Sequence, residues 1–280
     1  FSKLGNKIQA LNTSQYKDYI SDLNKYTDAP ITIPDEENRY TNWTDAFYRT
    51  GSNQNYQLSL SGGSEKLKYF VSSGFLDEQG IVKKSKFNRT NFRTNLDASP
   101  SNWLKIGVNV AYTQMKGQTV YENRSSLRAG SILSVINTPK YAPIWSDKPG
   151  EEGWYYYNFY GANLTHPVEN ISRNADNTSK SNRLVGSVSA IVTFFPSLKF
   201  KSTVGIDRLG RTQTHWTDPK LTSYGRSIFG TADDIRTNNT VMTYDNLLTF
   251  DKSFGKHNLS ALAGTSGTVS KWNESYLYAS

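Results

Sequence analysis

The sequence predicts an all-β fold: an antiparallel up-and-down transmembrane β-barrel segment with long extracellular loops. Three observations predict it. Eight segments alternate apolar and polar residues with a period of two, which indicates strands with one apolar and one polar face. The links between them alternate between short and long, so tight turns lie at one end of the sheet and large loops at the other. Aromatic residues lie beside the short links, where a membrane barrel carries a girdle.

Composition narrows the class of protein. The 280 residues are 36% hydrophobic and 20% charged, and no run approaches the ~18–20 apolar residues that a spanning helix needs. The absence of cysteine excludes disulfide frameworks, thiol nucleophiles and cysteine metal sites. The net charge of +8 is scattered, and its densest group, within 83–89, favours a solvated loop. Because the chain starts at Phe1 and stops at Ser280 in mid-pattern, we expect a piece of a longer polypeptide.

Residues 1–52 differ from the rest and are predicted to form an extracellular loop region with a short helix. Thr13 or Ser14 is positioned to cap a helix that has one apolar face. Pro30 and Pro34 then break any regular element.

The eight barrel strands are predicted within residues 53–269. Their alternating rows occupy 56–60, 67–75, 92–98, 104–112, 184–194, 198–206, 244–250 and 257–269. The last row is the weakest, because Leu262 falls on the opposite face from Leu259, Ala261 and Ala263. Residues 270–280 are expected to begin a further extracellular loop.

The links carry the topology. Short links are predicted at 62–65, 99–102, 195–197 and 253–256, and a longer one at 77–86. Very long links are predicted at 116–182 and 213–239. Alternate links of an up-and-down sheet lie at the same end, which is the layout of short periplasmic turns and long extracellular loops.

The alternation also assigns faces. Polar residues of the strands are expected to face an aqueous lumen, because a dry core would not accommodate them. The lumen-facing candidates are Arg93, Asn95, Lys105, Asn109, Lys199, Lys201 and Asp207. The membrane-girdle candidates, near the short links, are Tyr69, Trp103, Phe194, Phe200 and Phe250. The alternative is a soluble β-sandwich whose core uses the same rings, although a sandwich rarely has such long loops on one edge only.

No constellation of residues indicates catalysis, a cofactor or a metal, and we expect that the protein is not an enzyme. His166, His215 and His257 lie in predicted loops and a turn, without the spacing of metal ligands. No phosphate loop, nucleophile elbow or pair of catalytic carboxylates can be singled out. The scattered positive charge gives no basis for nucleic-acid binding.

A succession of short motifs runs in order through residues 41–279. It comprises WTDAFYRTG at 43–51, QNY at 54–56, SGGSEK at 61–66, YFVS at 69–72, DEQGIV at 77–82, RTNLD at 93–97, WLKIG at 103–107 and FGKHNL at 254–259. This ordered set strongly resembles the barrel of SusC/RagA-type TonB-dependent outer-membrane transporters of the Bacteroidetes. His166-Pro167-Val168 is similar to that family's Asn-Pro-hydrophobic segment, with His166 in place of Asn.

The resemblance implies a 22-stranded barrel in the bacterial outer membrane, of which this chain would supply about a third of the wall. It also implies a plug and a TonB-interacting segment outside these residues, and a SusD-like surface lipoprotein that lids the mouth. The implied function is import of a nutrient, a glycan or an oligopeptide, through a wall in contact with outer-membrane lipid. The alternative function is that of a soluble or surface β-sandwich module that binds glycans.

The sharpest local signal is a cluster of aromatic residues within the 116–182 link. We hypothesise that this loop contacts the substrate or the lid protein, because Tyr and Trp rings stack on sugars or peptide groups and anchor interfaces. The alternative is that the rings pack the loop onto itself or onto a neighbouring loop. The candidates are Trp145, Trp154, Tyr155, Tyr156, Tyr157, Phe159 and Tyr160.

Overall fold

The structure is a computed structural model that describes residue 5 and residues 10–33, 40–118, 131–156, 166–174, 177–220 and 223–280. Eight strands form one antiparallel sheet in chain order. They are β1 (Ser52–Gly63), β2 (Leu67–Gln79), β3 (Lys86–Ser101), β4 (Leu104–Gln118), β5 (Thr178–Phe195), β6 (Leu198–Thr217), β7 (Thr231–Phe254) and β8 (His257–Ala279). The prediction of an up-and-down antiparallel sheet is confirmed.

The described residues also form five helices outside the sheet. They are α1 (Thr13–Asn24), α2 (Trp43–Phe47), α3 (Ser131–Asn137), α4 (Pro167–Asn174) and α5 (Ser223–Ile228). Helix α1 is capped by Asn12, one residue before the predicted cap, because its side chain accepts the Gln15 N–H at 2.8 Å while the Gln15 side chain accepts the Asn12 N–H at 3.0 Å. None of the helices described in this structure is both long and apolar enough to cross a membrane.

The strands extend further from the short-link end than the sequence predicted. β7 and β8 have 24 and 23 residues, and they pair along their full length from Phe254↔His257 to Ala232↔Ala279. Residues 270–279, expected to begin a loop, are therefore strand. Beyond the apolar rows one face no longer needs apolar residues, so the alternation that marks a strand fades although the backbone pairing continues.

The register of the seven strand pairs sorts the side chains consistently between two faces. The apolar face is defined by residues aligned across the sheet, and its members include Tyr56, Leu58, Leu60, Tyr69, Val71, Phe75, Phe92, Leu96, Val108, Val110, Tyr112, Leu184, Val188, Phe200, Val204, Ile206, Met242, Tyr244, Leu248 and Phe250. The opposite face, which we call the polar face, carries the intervening residues.

The apolar face lacks a protein layer over it in the described residues, where all eight strands belong to one sheet. Leu58 is 77% exposed, Leu60 63% and Val188 51%. In a β-sandwich these rows would be buried against a second sheet. The arrangement therefore does not favour the sandwich alternative.

Buried side chains concentrate at the long-link end, in a cluster that we call the mouth core. Its buried members come from α2 and from the link between β4 and β5, and they are Trp43, Phe47, Val135, Tyr141, Ala142, Tyr156 and Ile171. The Trp43 indole N–H donates to the Pro139 carbonyl at 3.0 Å, and the Thr41 hydroxyl donates to the Ala142 carbonyl at 2.7 Å. The mouth core thus joins the segment before β1 to a link about halfway along the chain.

Candidate functional site: the sheet wall and its long-link end

The girdle candidates lie at the short-link end, as the sequence placed them. Tyr69, Phe200 and Phe250 project from the apolar face near the turns. Phe194 lies at the strand irregularity beside the β5–β6 turn, and Trp103 lies in the β3–β4 turn, 56% exposed.

A second aromatic row, which the sequence analysis did not identify, borders the apolar face on the other side. Tyr56 pairs with Phe75, and Phe92 pairs with Tyr112, on four adjacent strands. The next residues outward on this face are polar, for example Gln114 after Tyr112. Each ring occupies the last apolar position of its strand towards the long links. This position is the sequence signal that could have revealed the row.

The border of the apolar face nearer the long links, which we call its upper border, runs obliquely across the strands. It passes from Tyr56 in β1 through Leu184 in β5 to Val269 in β8. The row of directly paired residues that starts at Tyr56 instead reaches β8 at Asn273, four residues beyond Val269. An apolar band that crosses the pairing rows obliquely requires strands tilted to the band, as in membrane barrels, where the tilt is about 35–45°.

The polar face brings together all seven lumen-facing candidates. Asn95 pairs with Asn109 across β3 and β4, and Arg93, Lys105, Lys199, Lys201 and Asp207 follow on the same face by register. Asp207 forms a two-point ion pair with Arg183 of β5, at 3.0 and 2.6 Å. This face therefore presents charges of both signs and amide groups to one side of the sheet.

The WTDAFYRTG stretch holds the long-link end together. Trp43 and Phe47 are buried in the mouth core, and the Arg49 guanidinium donates to the carbonyls of Gly80 at 3.0 Å and Ser85 at 2.7 Å. The Arg49 N–H donates to the Ile81 carbonyl at 2.8 Å. Arg49 thereby fixes both ends of the β2–β3 link, a role that the sequence analysis did not assign.

His166 caps α4 inside the mouth core. Its Nδ1 accepts the backbone N–H of Glu169 at 3.1 Å, and its ring meets the Trp43 ring edge-on at 4.9 Å between centroids. Burial lowers the pKa of His166 to about 4, although backbone hydrogen bonding at Pro143 and Ile144 opposes the shift. A buried neutral imidazole that accepts a helix N–H acts as an N-cap, the role that Asn or Asp usually fills.

The aromatic cluster of the β4–β5 link is partly buried. Tyr155 and Tyr156 are 6% and 7% exposed, so in this arrangement their rings pack against the protein. Trp145 stacks on Tyr155 at 4.5 Å and remains 51% exposed. The Tyr155 hydroxyl is 2.5 Å from Ser172 of α4, and burial raises its pKa. The candidates Tyr157, Phe159 and Tyr160 lie outside the described residues.

Trp154, in the link between β4 and β5, contacts α5 in the link between β6 and β7. The Arg226 guanidinium of α5 lies 3.9 Å above its ring, and Arg226 also donates to the Lys220 carbonyl at 2.9 Å. The long link between β4 and β5 is therefore fastened to the one between β6 and β7. Among the residues that the structure describes, no group of His, Cys, Asp or Glu side chains is arranged to hold a metal ion.

Comparison with known proteins finds relatives of this chain. The chain is 30% identical to TonB-dependent receptor P3 of Formosa agariphila over 231 residues, 81% of this chain and 22% of that protein. It is 25% identical to TonB-dependent receptor SusC of Bacteroides thetaiotaomicron, over 94% of this chain and 27% of that protein. No protein-family model matches the chain.

The fold also matches a solved structure, described as the RagAB peptide transporter. The TM-score is 0.66 at 21% identity, and the match covers 95% of this chain and 29% of that one. The chain spans about a quarter of the length of the curated relatives it matches. Its relatives are receptors by name rather than enzymes. Sequence similarity over most of the chain and the shared fold show that the chain resembles a segment of the SusC-like TonB-dependent receptors.

Proposed function

We propose that this chain forms part of the wall of an outer-membrane transporter that imports a nutrient, a glycan or an oligopeptide, in a TonB-dependent manner. The observation that carries the proposal is the apolar face, which is exposed and bordered by aromatic rings at both edges. Lipid over one face and water over the other stabilise a sheet of this kind, as in membrane barrels. The bacterial outer membrane provides that environment.

Transport would proceed by passage rather than by covalent chemistry. Arg93, Lys105, Lys201 and the Arg183–Asp207 pair would line an aqueous interior, because hydrated polar groups cost little beside water and much beside lipid. A plug and a TonB contact would come from parts of the polypeptide outside these residues. The name of the relative SusC and the description of RagAB as a peptide transporter support an import function for the complete protein.

The long-link end would form the extracellular mouth and meet a SusD-like lipoprotein. The mouth core gives this end a fixed shape, since it ties α2, α3 and α4 to the β2–β3 link. Among the candidates that the structure describes, Trp145 is the most exposed, and its ring stacks on that of Tyr155. We infer that Trp145 contacts the substrate or the lid lipoprotein, while Tyr155 and Tyr156 support it.

The test compares two exposed tryptophans at opposite ends of the sheet. In the full-length transporter, expressed with its lipoprotein, Trp145→Ala should lower nutrient uptake or lipoprotein co-purification several-fold. Trp103→Ala is the matched control, since Trp103 is about equally exposed, 56% against 51%, but lies in a short turn. Equal uptake and co-purification in both variants, at normal outer-membrane levels, would remove Trp145 from the mouth contact.

The membrane assignment has its own test, independent of Trp145. We expect the wild-type protein to fractionate with the outer membrane and to require detergent for solubility. Recovery as a monodisperse protein without detergent would overturn the proposed function as a whole.

A further inference from the structure

The apolar face continues beyond its upper aromatic row as a basic surface, which we call the upper outer face. By register this surface carries six cations, Lys86, Lys116, Lys180, Arg208, Arg236 and Lys271. On the same face of the eight described strands only two carboxylates occur, Asp77 and Asp234. Asp234 forms an ion pair with Arg236 at 2.7 Å, and Asp77 accepts a hydrogen bond from Asn88. Positive charge is therefore in excess next to the apolar band.

Two of these cations lie directly opposite each other on neighbouring strands. Lys116 of β4 is paired directly with Lys180 of β5 in the register. Like charges directly opposite each other in a sheet are destabilising. An anion held near the pair would offset this repulsion.

A cavity opens on the same surface at the edge of the apolar band. Its volume is about 270 Å³. It is lined by Tyr112, Asn182, Leu184, Arg208, Gly210 and Asn238. Gly210 is paired with Asn182 on one side and with Asn238 on the other, and a Cβ added to it would lie 3.3 Å from Asn238 Oδ1. The missing side chain thus leaves space between two amide groups.

The residues that line the cavity differ in polarity between its two rows. Tyr112, Leu184 and Arg208 form one row of paired residues, directly above the apolar row of Val110, Gly186 and Ile206. The two asparagines lie one row higher than Arg208. An occupant would meet an aromatic ring, an apolar side chain and a guanidinium in the lower row, and amide groups in the row above. A phosphorylated sugar with attached acyl chains has this sequence of chemistry.

We propose that the cavity at Gly210 binds the phosphorylated sugar headgroup of an outer-leaflet glycolipid, with Arg208 as its phosphate ligand. The guanidinium fork donates two parallel hydrogen bonds to a phosphate. Lys116, Lys180 and Lys271 supply the surrounding positive charge, which attracts anionic lipid at a membrane surface. The acyl chains lie on the apolar face below. The inference rests on the proposed membrane location but concerns a site on the opposite side of the wall from the transport path.

The test measures lipid retention by the full-length transporter. The purified protein is titrated with lipid A, with lipid A whose phosphates have been removed enzymatically, and with inorganic phosphate, and bound lipid is counted by native mass spectrometry. We expect retention of lipid A, with affinity lowered about tenfold when its phosphates are absent or in Arg208→Gln, and little competition by inorganic phosphate.

Two further variants define the site. Gly210→Leu fills the cavity and should lower lipid A retention without changing the charge. Arg211→Gln is the matched control, because Arg211 is an exposed arginine of the same strand that projects from the polar face. Retention equal to wild type in Arg208→Gln and Gly210→Leu would overturn the proposal, as would equal binding of dephosphorylated lipid A. Full competition by inorganic phosphate would identify a free-anion site instead.

The result stays separate from that of the transport proposal. Nutrient uptake by Arg208→Gln should equal that of wild type, because Arg208 lies outside the proposed path. Loss of lipid retention with normal uptake supports the lipid site. Recovery of the wild-type protein without detergent would refute the membrane location, whatever the lipid measurement gives.

Discussion

His166 shows how one substitution in a motif changes the chemistry of a helix cap. Only the neutral imidazole can accept the Glu169 N–H at Nδ1. The pKa is about 4 in the folded chain, against an ordinary value of 6.5. Between these values the unfolded state binds more protons, so stability is complete above pH 6.5 and falls as the pH falls towards 4. The loss is about 2 kcal/mol at pH 5.

The measurement is hydrogen exchange of the α4 amides in the full-length protein at pH 7 and pH 5, corrected for intrinsic rates. Wild type should lose protection at pH 5. His166→Asn should keep similar protection at both values, because an asparagine oxygen makes the same cap and does not titrate. His257→Asn, at the exposed first residue of β8, should retain the wild-type dependence. A wild-type protein with equal protection at both pH values would contradict this account.

The mouth core shows what residue-level reasoning could not predict. The resemblance included Trp43 and Arg49, but the sequence does not show that the Trp43 indole bonds Pro139, 96 positions away. Nor does it show that Arg49 bonds both Gly80 and Ser85 across the β2–β3 link. Such contacts depend on how links fold back over the sheet, and local periodicity contains no information about that.

The sequence predicted each strand correctly along the part that carries its apolar row. The alternation located all eight strands because each has an apolar row within the band. It failed at their upper ends, for example after Val269 in β8, where the apolar face continues with Lys271, Asn273 and Ser275 while the backbone pairing continues. The same fading concealed the upper aromatic row, since Phe75 and Phe92 are far from any short link.

The assignment of faces can be tested within a single strand. Val188 of β5 is paired with Val108 and Val204 in the middle of the apolar face, and Ser187 is its neighbour on the polar face. Val188→Lys should destabilise the folded barrel by about 2–4 kcal/mol, the cost of a lysine near the bilayer midplane. Ser187→Lys should change stability little, because water in the proposed interior would solvate the ammonium group.

Urea unfolding of the full-length protein in liposomes gives the comparison, and gel mobility of unheated samples reports folding. If the two lysine variants unfold at the same urea concentration, the apolar face does not contact lipid. A fold-level defect would instead lower the yield of both variants together.

Part of the positive charge of the chain can be explained by its distribution between the two faces of the sheet. The net charge of +8 has no explanation in the sequence, where it is scattered. In the folded sheet, part of it lies on the upper outer face, where Arg208 and Lys271 border the apolar band. Charges of the polar face include the Arg183–Asp207 pair, which is internally neutral. A linear sequence cannot show this division, because residues adjacent in a strand project to opposite faces.

The orientation of the whole molecule follows from the two kinds of link and can be measured directly. Glu152 is exposed in the link between β4 and β5, and Lys256 is exposed in the turn between β7 and β8. If long links face the outside, a cysteine at Glu152 should react with a membrane-impermeant maleimide on intact cells, and one at Lys256 should not. Both should react after the outer membrane is permeabilised, which shows that each cysteine is accessible. These 280 residues contain no cysteine, so the label reports the introduced site once any cysteine elsewhere in the full-length protein is removed. The reverse pattern would invert the wall, and reaction at both sites on intact cells would mean that no membrane separates the two ends of the sheet.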